Sequence, residues 1–160
     1  MATEVKIDKD KILALVKEAG REGMDVVALQ LSSLVREALS QPGQGRIYRI
    51  GKGSRKGKTL RARGYHRASA PGQPPAVNTG RLRSSFSVSG RGGEDQISYI
   101  DEDNNGIRLT FGSRVSYAGA LEHGTNRVAA RPYLEPAVET MKERVAGIMA
   151  KAIKRRLGKK

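Results

Sequence analysis

No Asp or Glu occurs between Ala38 and Gly93 of this 160-residue chain, whereas Arg46, Arg49, Lys52, Arg55, Lys56, Lys58, Arg61, Arg63, Arg67, Arg81, Arg83 and Arg91 are all cationic. A run of like charge that is rich in Gly and Pro and poor in apolar residues buries too little to offset its own ordering entropy. A core must therefore come from the two flanks, packed on each other. Those flanks are close to neutral apart from a basic tail of Lys151, Lys154, Arg155, Arg156, Lys159 and Lys160, so the net charge of +14 belongs mostly to one segment. Such polarisation favours a polyanion or an acidic protein surface as neighbour.

In the N-terminal flank, Leu13, Val16, Met24, Val27, Leu31, Leu34 and Ala38 recur at three- and four-residue steps with Gly20 filling the gap, which predicts one long helix over residues 8–40. Asp8 or Asp10 can cap its start. Pro42 stops it, because proline cannot continue the backbone ladder. Gly20 and Gly23 are expected to weaken the middle and mark a bend. In the C-terminal flank, Leu134, Val138, Met141, Val145, Ile148 and Ala152 predict a second long helix over residues 132–156, with Pro132 and Pro136 in the first turn.

Residues 44–78 read as an exposed basic arm that becomes ordered against a partner, with Ile47, Tyr48 and Ile50 as a short strand at its root. The stretch from Ala70 to Pro75 is expected to be extended and stiff. Beyond it, residues 79–160 hold the sheet and the last helix. Thr79 is the expected N-cap of a short helix ending at Ser84, and Phe86 and Val88 alternate as in a half-buried strand. A hairpin follows: Ile97 and Tyr99 lead into Asp103, Asn104, Asn105 and Gly106, and Ile107, Leu109 and Phe111 alternate on the return. A short helix from Tyr117 to Glu122 should stop at Gly124. The expected architecture is a single α+β domain over residues 1–160, a small antiparallel β-sheet packed against two long amphipathic helices, with a long basic loop.

The sequence offers little for catalysis. There is no Cys, which removes thiol chemistry and Cys-ligated zinc. His66 and His123 each lack a second ligand at helical spacing, so no metal is expected. A Gly-Lys-Thr stands at residues 57–59, but a phosphate-binding loop needs Gly five residues earlier, where Lys52 stands. Neither a nucleophile elbow nor a triad order is present. The expectation is a non-enzyme without cofactor. No apolar run approaches the roughly 18 residues of a membrane span, so no membrane partner is expected.

Three blocks carry a resemblance. The first runs from His66 through Thr79, Gly80, Arg81 and Leu82 to Ser85. The second is Tyr117-Ala118-Gly119-Ala120-Leu121-Glu122-His123-Gly124-Thr125, and the third is Ala130-Arg131-Pro132-Tyr133-Leu134-Glu135-Pro136-Ala137. In content, order and spacing they resemble the signature of the small tail-component family of long-tailed bacteriophages and prophages, the neck or tail-completion proteins. The resemblance implies a structural virion protein at the head-tail interface, made in the host bacterial cytoplasm, that joins the DNA-filled head to the tail. It also implies a homo-oligomeric ring around the DNA channel, of six subunits or alternatively twelve. Its partners would be the head-closure or connector proteins on one side and tail-terminator or tail-tube proteins on the other. No catalytic residue comes with it. Thr79, Gly80, Arg81, Leu82, Tyr117, Glu122, Gly124, Thr125, Arg131 and Pro132 are then structural, with Arg131 expected to tie back to Glu122.

The charge alone supports a different class, a sequence-independent nucleic-acid-binding module. Arg46, Arg49, Lys52, Arg55, Lys56, Lys58, Arg61, Arg63 and Arg67 are candidate contacts to DNA phosphates in the channel or to an acidic partner protein. Only Tyr48 and Tyr65 are interleaved with them, too few for a base-stacking platform, so contact to DNA would be blind to sequence.

Overall fold

The computed structural model describes residues 9–49, 54–55, 58–59, 65–88, 93–103 and 106–158. The fold is α+β. Helix α1 (Lys9–Ala38) and helix α4 (Glu135–Leu157) are the long elements, and strands β5 (Gln96–Asp103) and β6 (Gly106–Ser113) form the antiparallel hairpin that packs on α1. Between them lie strands β1 (Ile47–Arg49), β2 (Ser54–Arg55), β3 (Lys58–Thr59) and β4 (Tyr65–Arg67), and the short helices α2 (Arg81–Ser85) and α3 (Ala118–His123). Asp8, Ile50 and Asn105, expected as a cap, a strand position and a turn residue, lie outside the described residues.

The two long helices run antiparallel. Near the middle of α1, Glu22 accepts from Arg155 at 2.7 Å and from Arg156, and Glu18, one turn earlier, pairs with Arg156 at 3.2 Å near the end of α4. α1 is continuous through Gly20 and Gly23, and both glycines sit under neighbours. A Cβ on Gly20 would lie 2.4 Å from the end of Ile107, and one on Gly23 would lie 2.5 Å from the sulfur of Met149. Missing side chains here let the hairpin and α4 come close to the α1 backbone.

The expected stripe on α1 is buried only in its C-terminal part: Val27 and Leu31 are buried, Met24, Leu34 and Ala38 are half-buried, and Leu13 and Val16 are exposed. Ala19, Ala28 and Val35 complete the buried face, and Leu39 is buried just beyond the helix. On α4 the stripe is as expected, with Met141 and Ala152 buried and Val138, Val145 and Ile148 partly so, although the helix begins at Glu135 and leaves Pro132 in the lead-in.

Both phenylalanines of the chain meet at the centre of the core. Phe86 lies 5.6 Å from Phe111 and 5.7 Å from Tyr133, the latter edge-on, an arrangement that suits the ring quadrupoles. The strand expected at Phe86 and Val88 does not form. Phe86 instead closes α2 as its C-cap residue, and its carbonyl accepts from the buried Ser32 hydroxyl at 2.5 Å.

The hairpin register pairs Asp103 with Gly106 and Gln96 with Ser113, a two-residue connection with Gly106 at φ +142°. Leu109 and Phe111 face the core, together with their partners Ile100 and Ser98. Ile97 and Tyr99, one residue out of phase, fall on the opposite face, where Tyr99 is exposed.

The short strand expected at the root of the basic arm is present as β1, and the arm carries further pairing beyond it. Strand β1 pairs with β4, Ile47 opposite Arg67 and Arg49 opposite Tyr65, and β2 pairs with β3, so the arm has backbone structure of its own. Its root is fixed by Gly45 N–H donating to Ala68 O at 2.7 Å and Ala68 N–H to Arg46 O at 3.0 Å. The stretch from Ala70 to Pro75 is not extended throughout. Pro71 and Gly72, the latter at φ +77°, make a turn closed by Gln73 N–H to Ala70 O at 3.1 Å, the geometry of a type II turn.

Two substitutions separate packing glycines from incidental ones. Gly147 in α4 has open space around its missing side chain, so Gly147→Ala should stabilise the fold by about 0.5–1 kcal/mol. Gly23→Val must displace Met149 and should destabilise by about 1–3 kcal/mol. Urea denaturation of both variants measures this.

Candidate functional site: a cleft where three sequence blocks meet

Residues far apart in the chain converge on one cleft of about 500 Å³ between the end of α1, the segment from His66 to Arg83, α3 and the lead-in to α4. Thr79, Gly80, Arg81, Leu82, Tyr117 and Arg131 line it, with Leu39, Pro75 and Leu121 among the apolar residues of its wall. Backbone bonds tie the three blocks together. Gly72 N–H donates to Ala130 O at 3.0 Å, and Arg131 N–H donates to Leu121 O at 2.7 Å.

Glu122 sits beneath the cleft, buried, and its role differs from the expected pairing with Arg131. Its carboxylate accepts the backbone N–H groups of Tyr133 at 3.0 Å, Leu134 at 3.1 and 3.2 Å, and Glu135 at 2.8 Å. These amides open α4 and would otherwise lack acceptors. A buried anion at a helix N-terminus also meets the positive end of the helix dipole. The cap thus comes from another helix, since the local cap position, Leu134, has no capping side chain. Arg131 instead donates from its guanidinium to Ser69 O at 3.3 Å, while its Nε is buried without a hydrogen-bond partner among the described residues.

Around this cap the chain reverses tightly. Gly124 ends α3 at φ +77°, ψ 178°, and a Cβ there would lie 2.8 Å from Ala130 N and 2.9 Å from Val128 O. That backbone conformation is nearly confined to glycine. Thr125 and Val128 exchange backbone bonds at 2.8 and 3.2 Å, and the Thr125 hydroxyl accepts from Val128 N–H at 3.1 Å. Tyr133 donates from its hydroxyl to Ala118 O at 3.3 Å, and burial, with the nearby Glu122 charge, pushes that hydroxyl well above its ordinary range.

At the other wall, Thr79 is not the N-cap of α2. Gly80 holds that position at φ +79°, and Thr79 contributes a long 3.4 Å bond to Arg81 N–H. Arg81 forks onto Asp95 with bonds of 2.6 and 2.8 Å. The guanidinium holds the Asp95 carboxyl below its usual range, and Arg155 and Arg156 do the same to Glu22. Sequence reasoning missed Asp95 as the partner of Arg81; fourteen residues of separation carry no periodic signal. The hydroxyls of buried Ser85 and half-buried Ser113, 2.6 Å apart, were missed as well, although a Ser inside an apolar pattern is a visible cue.

The candidate cations form a separate group. Arg46 and Arg67 are exposed at the root of the ribbon, Arg46 lies 5.7 Å from the Tyr48 ring centroid, and Tyr48 and Tyr65 are both exposed. No described carboxylate is within ion-pair distance of Arg46 or Arg67. Arg49, Arg55 and Lys58 occupy strand positions; Lys52, Lys56, Arg61 and Arg63 lie outside the described residues. No described helix is long and apolar enough to cross a membrane.

Two measurements follow from this geometry. In urea, Glu122→Ala should cost about 2–4 kcal/mol, and Gly124→Ala about 1–3 kcal/mol. Arg131→Ala should cost less than either; an Arg131 effect equal to that of Glu122 contradicts the cap. Because Glu22 and Asp95 titrate lower folded than unfolded, their contribution is complete above the ordinary carboxylate range, about pH 4, and is lost as pH falls through the lowered values. The acid-side drop in Tm should be shallower in a Glu22→Gln, Asp95→Asn double variant. Comparisons of the chain with known protein families, with curated proteins and with solved structures found no match.

Proposed function

We propose that this chain is a structural protein of the neck of a tailed-phage particle, joining the DNA-filled head to the tail as one subunit of a ring around the DNA channel. The observation that carries the reading is the meeting of three blocks around one cleft. Each resembles part of the neck and tail-completion signature, and the residues they share with it are those that cap α4, turn the chain at Gly124 and line the cleft. A signature whose parts depend on one another physically is what a common fold requires. In this reading the ring has six subunits, or alternatively twelve, and contacts head-closure and tail-terminator proteins.

A second reading, a sequence-independent nucleic-acid-binding module, is favoured by a specific feature: the exposed ribbon root, where Arg46, Arg67, Tyr48 and Tyr65 stand together without a described acid. Within a neck the same ribbon would touch genomic DNA through its phosphates or an acidic partner ring.

Deleting the gene from its phage should leave filled heads and separate tails in electron micrographs of lysates, with DNA packaging and tail-tube growth intact. Normal yields of infectious particles would overturn the neck reading. The second reading instead requires the purified chain to bind short DNA duplexes of any sequence, with affinity falling steeply as salt rises.

A further inference from the structure

The cleft carries a chemistry that holding the fold together does not require. Its wall is apolar at Leu39, Pro75, Leu82 and Leu121, and Val77 and Tyr117 stand 37% and 40% exposed along it. The charged side chains lining it are Arg81, Arg83 and Arg131, and no Asp or Glu is among its described lining residues. Arg81 is already engaged, forking onto Asp95, and Arg83, like Arg131, makes one 3.3 Å bond, to the Ser40 hydroxyl. Arg131 differs at its Nε. It has no described carboxylate within ion-pair distance, its guanidinium makes one long bond to Ser69 O, and its Nε–H is buried without a described acceptor. A guanidinium is a rigid fork of donors that a carboxylate satisfies in pairs.

We propose that this cleft docks an acidic peptide segment of a partner protein, with one carboxylate on Arg131 and an adjoining apolar side chain against Leu82 and Leu121. The charge complementarity is for a single anion in an apolar setting. A DNA strand fits it poorly, because phosphate binding spreads over many exposed cations and a phosphodiester brings hydrated sugar into the wall; the ribbon suits that partner better. Seating the carboxylate draws the guanidinium off Ser69 O, which its 3.3 Å bond opposes little. The inference stands without the neck reading, since it concerns the isolated chain, and the two can fail separately.

The test is a nitrogen-15 NMR titration of the full chain with four probes: the blocked peptide acetyl-Leu-Glu-Leu-amide, its Gln counterpart, inorganic phosphate and a short DNA duplex. The Glu peptide should shift the amides of Ser69, Leu82 and Leu121 and the Arg131 Nε–H saturably, and the Gln peptide should bind at least about tenfold more weakly. Arg131→Lys, which keeps the charge and loses the fork, should weaken the Glu peptide by a similar factor. Val77→Glu, at an exposed position, should abolish binding with Tm unchanged. Equal binding of the two peptides, no saturable shift at the cleft, or shifts there caused by phosphate or duplex in preference to the Glu peptide would each overturn the proposal.

Discussion

The buried carboxylate of Glu122 holds three elements at once. It stands in the last turn of α3, accepts the amides that open α4, and fixes the lead-in that carries Arg131 and Tyr133. Each of those amides is a donor that water would satisfy in an exposed helix and that nothing satisfies in a buried one. With the anion in place α4 starts where its apolar face meets α1, and Tyr133 comes edge-on to Phe86. Removing the anion leaves the part-buried amides at the start of α4 without their acceptor, so the damage spreads beyond one contact.

The remainder of the molecule follows from scarcity of large apolar groups. With few aromatics, the helices gain contact by closeness: Gly20, Gly23, Ala19 and Ala28 let neighbours approach the α1 backbone. The first turns of α1 keep Ile12, Leu13 and Val16 exposed, and no described residue of the basic ribbon belongs to the core cluster. Burial concentrates around Phe86 and positive charge concentrates in the arm.

Much of this was legible in the residues, and the failures share a cause. The long helices, the hairpin from Gln96 to Ser113 and the short α3 ending at Gly124 follow local patterns of period and turn chemistry, which sequence records directly. Arg131 was expected to reach Glu122 because opposite charges in neighbouring blocks invite pairing; instead three backbone amides outcompeted one guanidinium for a buried carboxylate. Leu13 and Val16 were placed inward by periodicity, which cannot tell where a partner helix stops. The pairing of β1 with β4 and the Arg81–Asp95 fork are long-range in sequence and leave no local trace. The cleft itself was visible only as three separate blocks of one chain, with no indication that they touch.

Amide hydrogen exchange tests the central role of Glu122 most directly. The first amides of a helix ordinarily exchange quickly because they lack intrahelical acceptors. Here Tyr133, Leu134 and Glu135 should be protected as strongly as amides in the middle of α4, and Glu122→Ala should remove that protection while leaving exchange within the β5–β6 hairpin slow. Rapid exchange of those three amides in the unaltered protein would contradict the account.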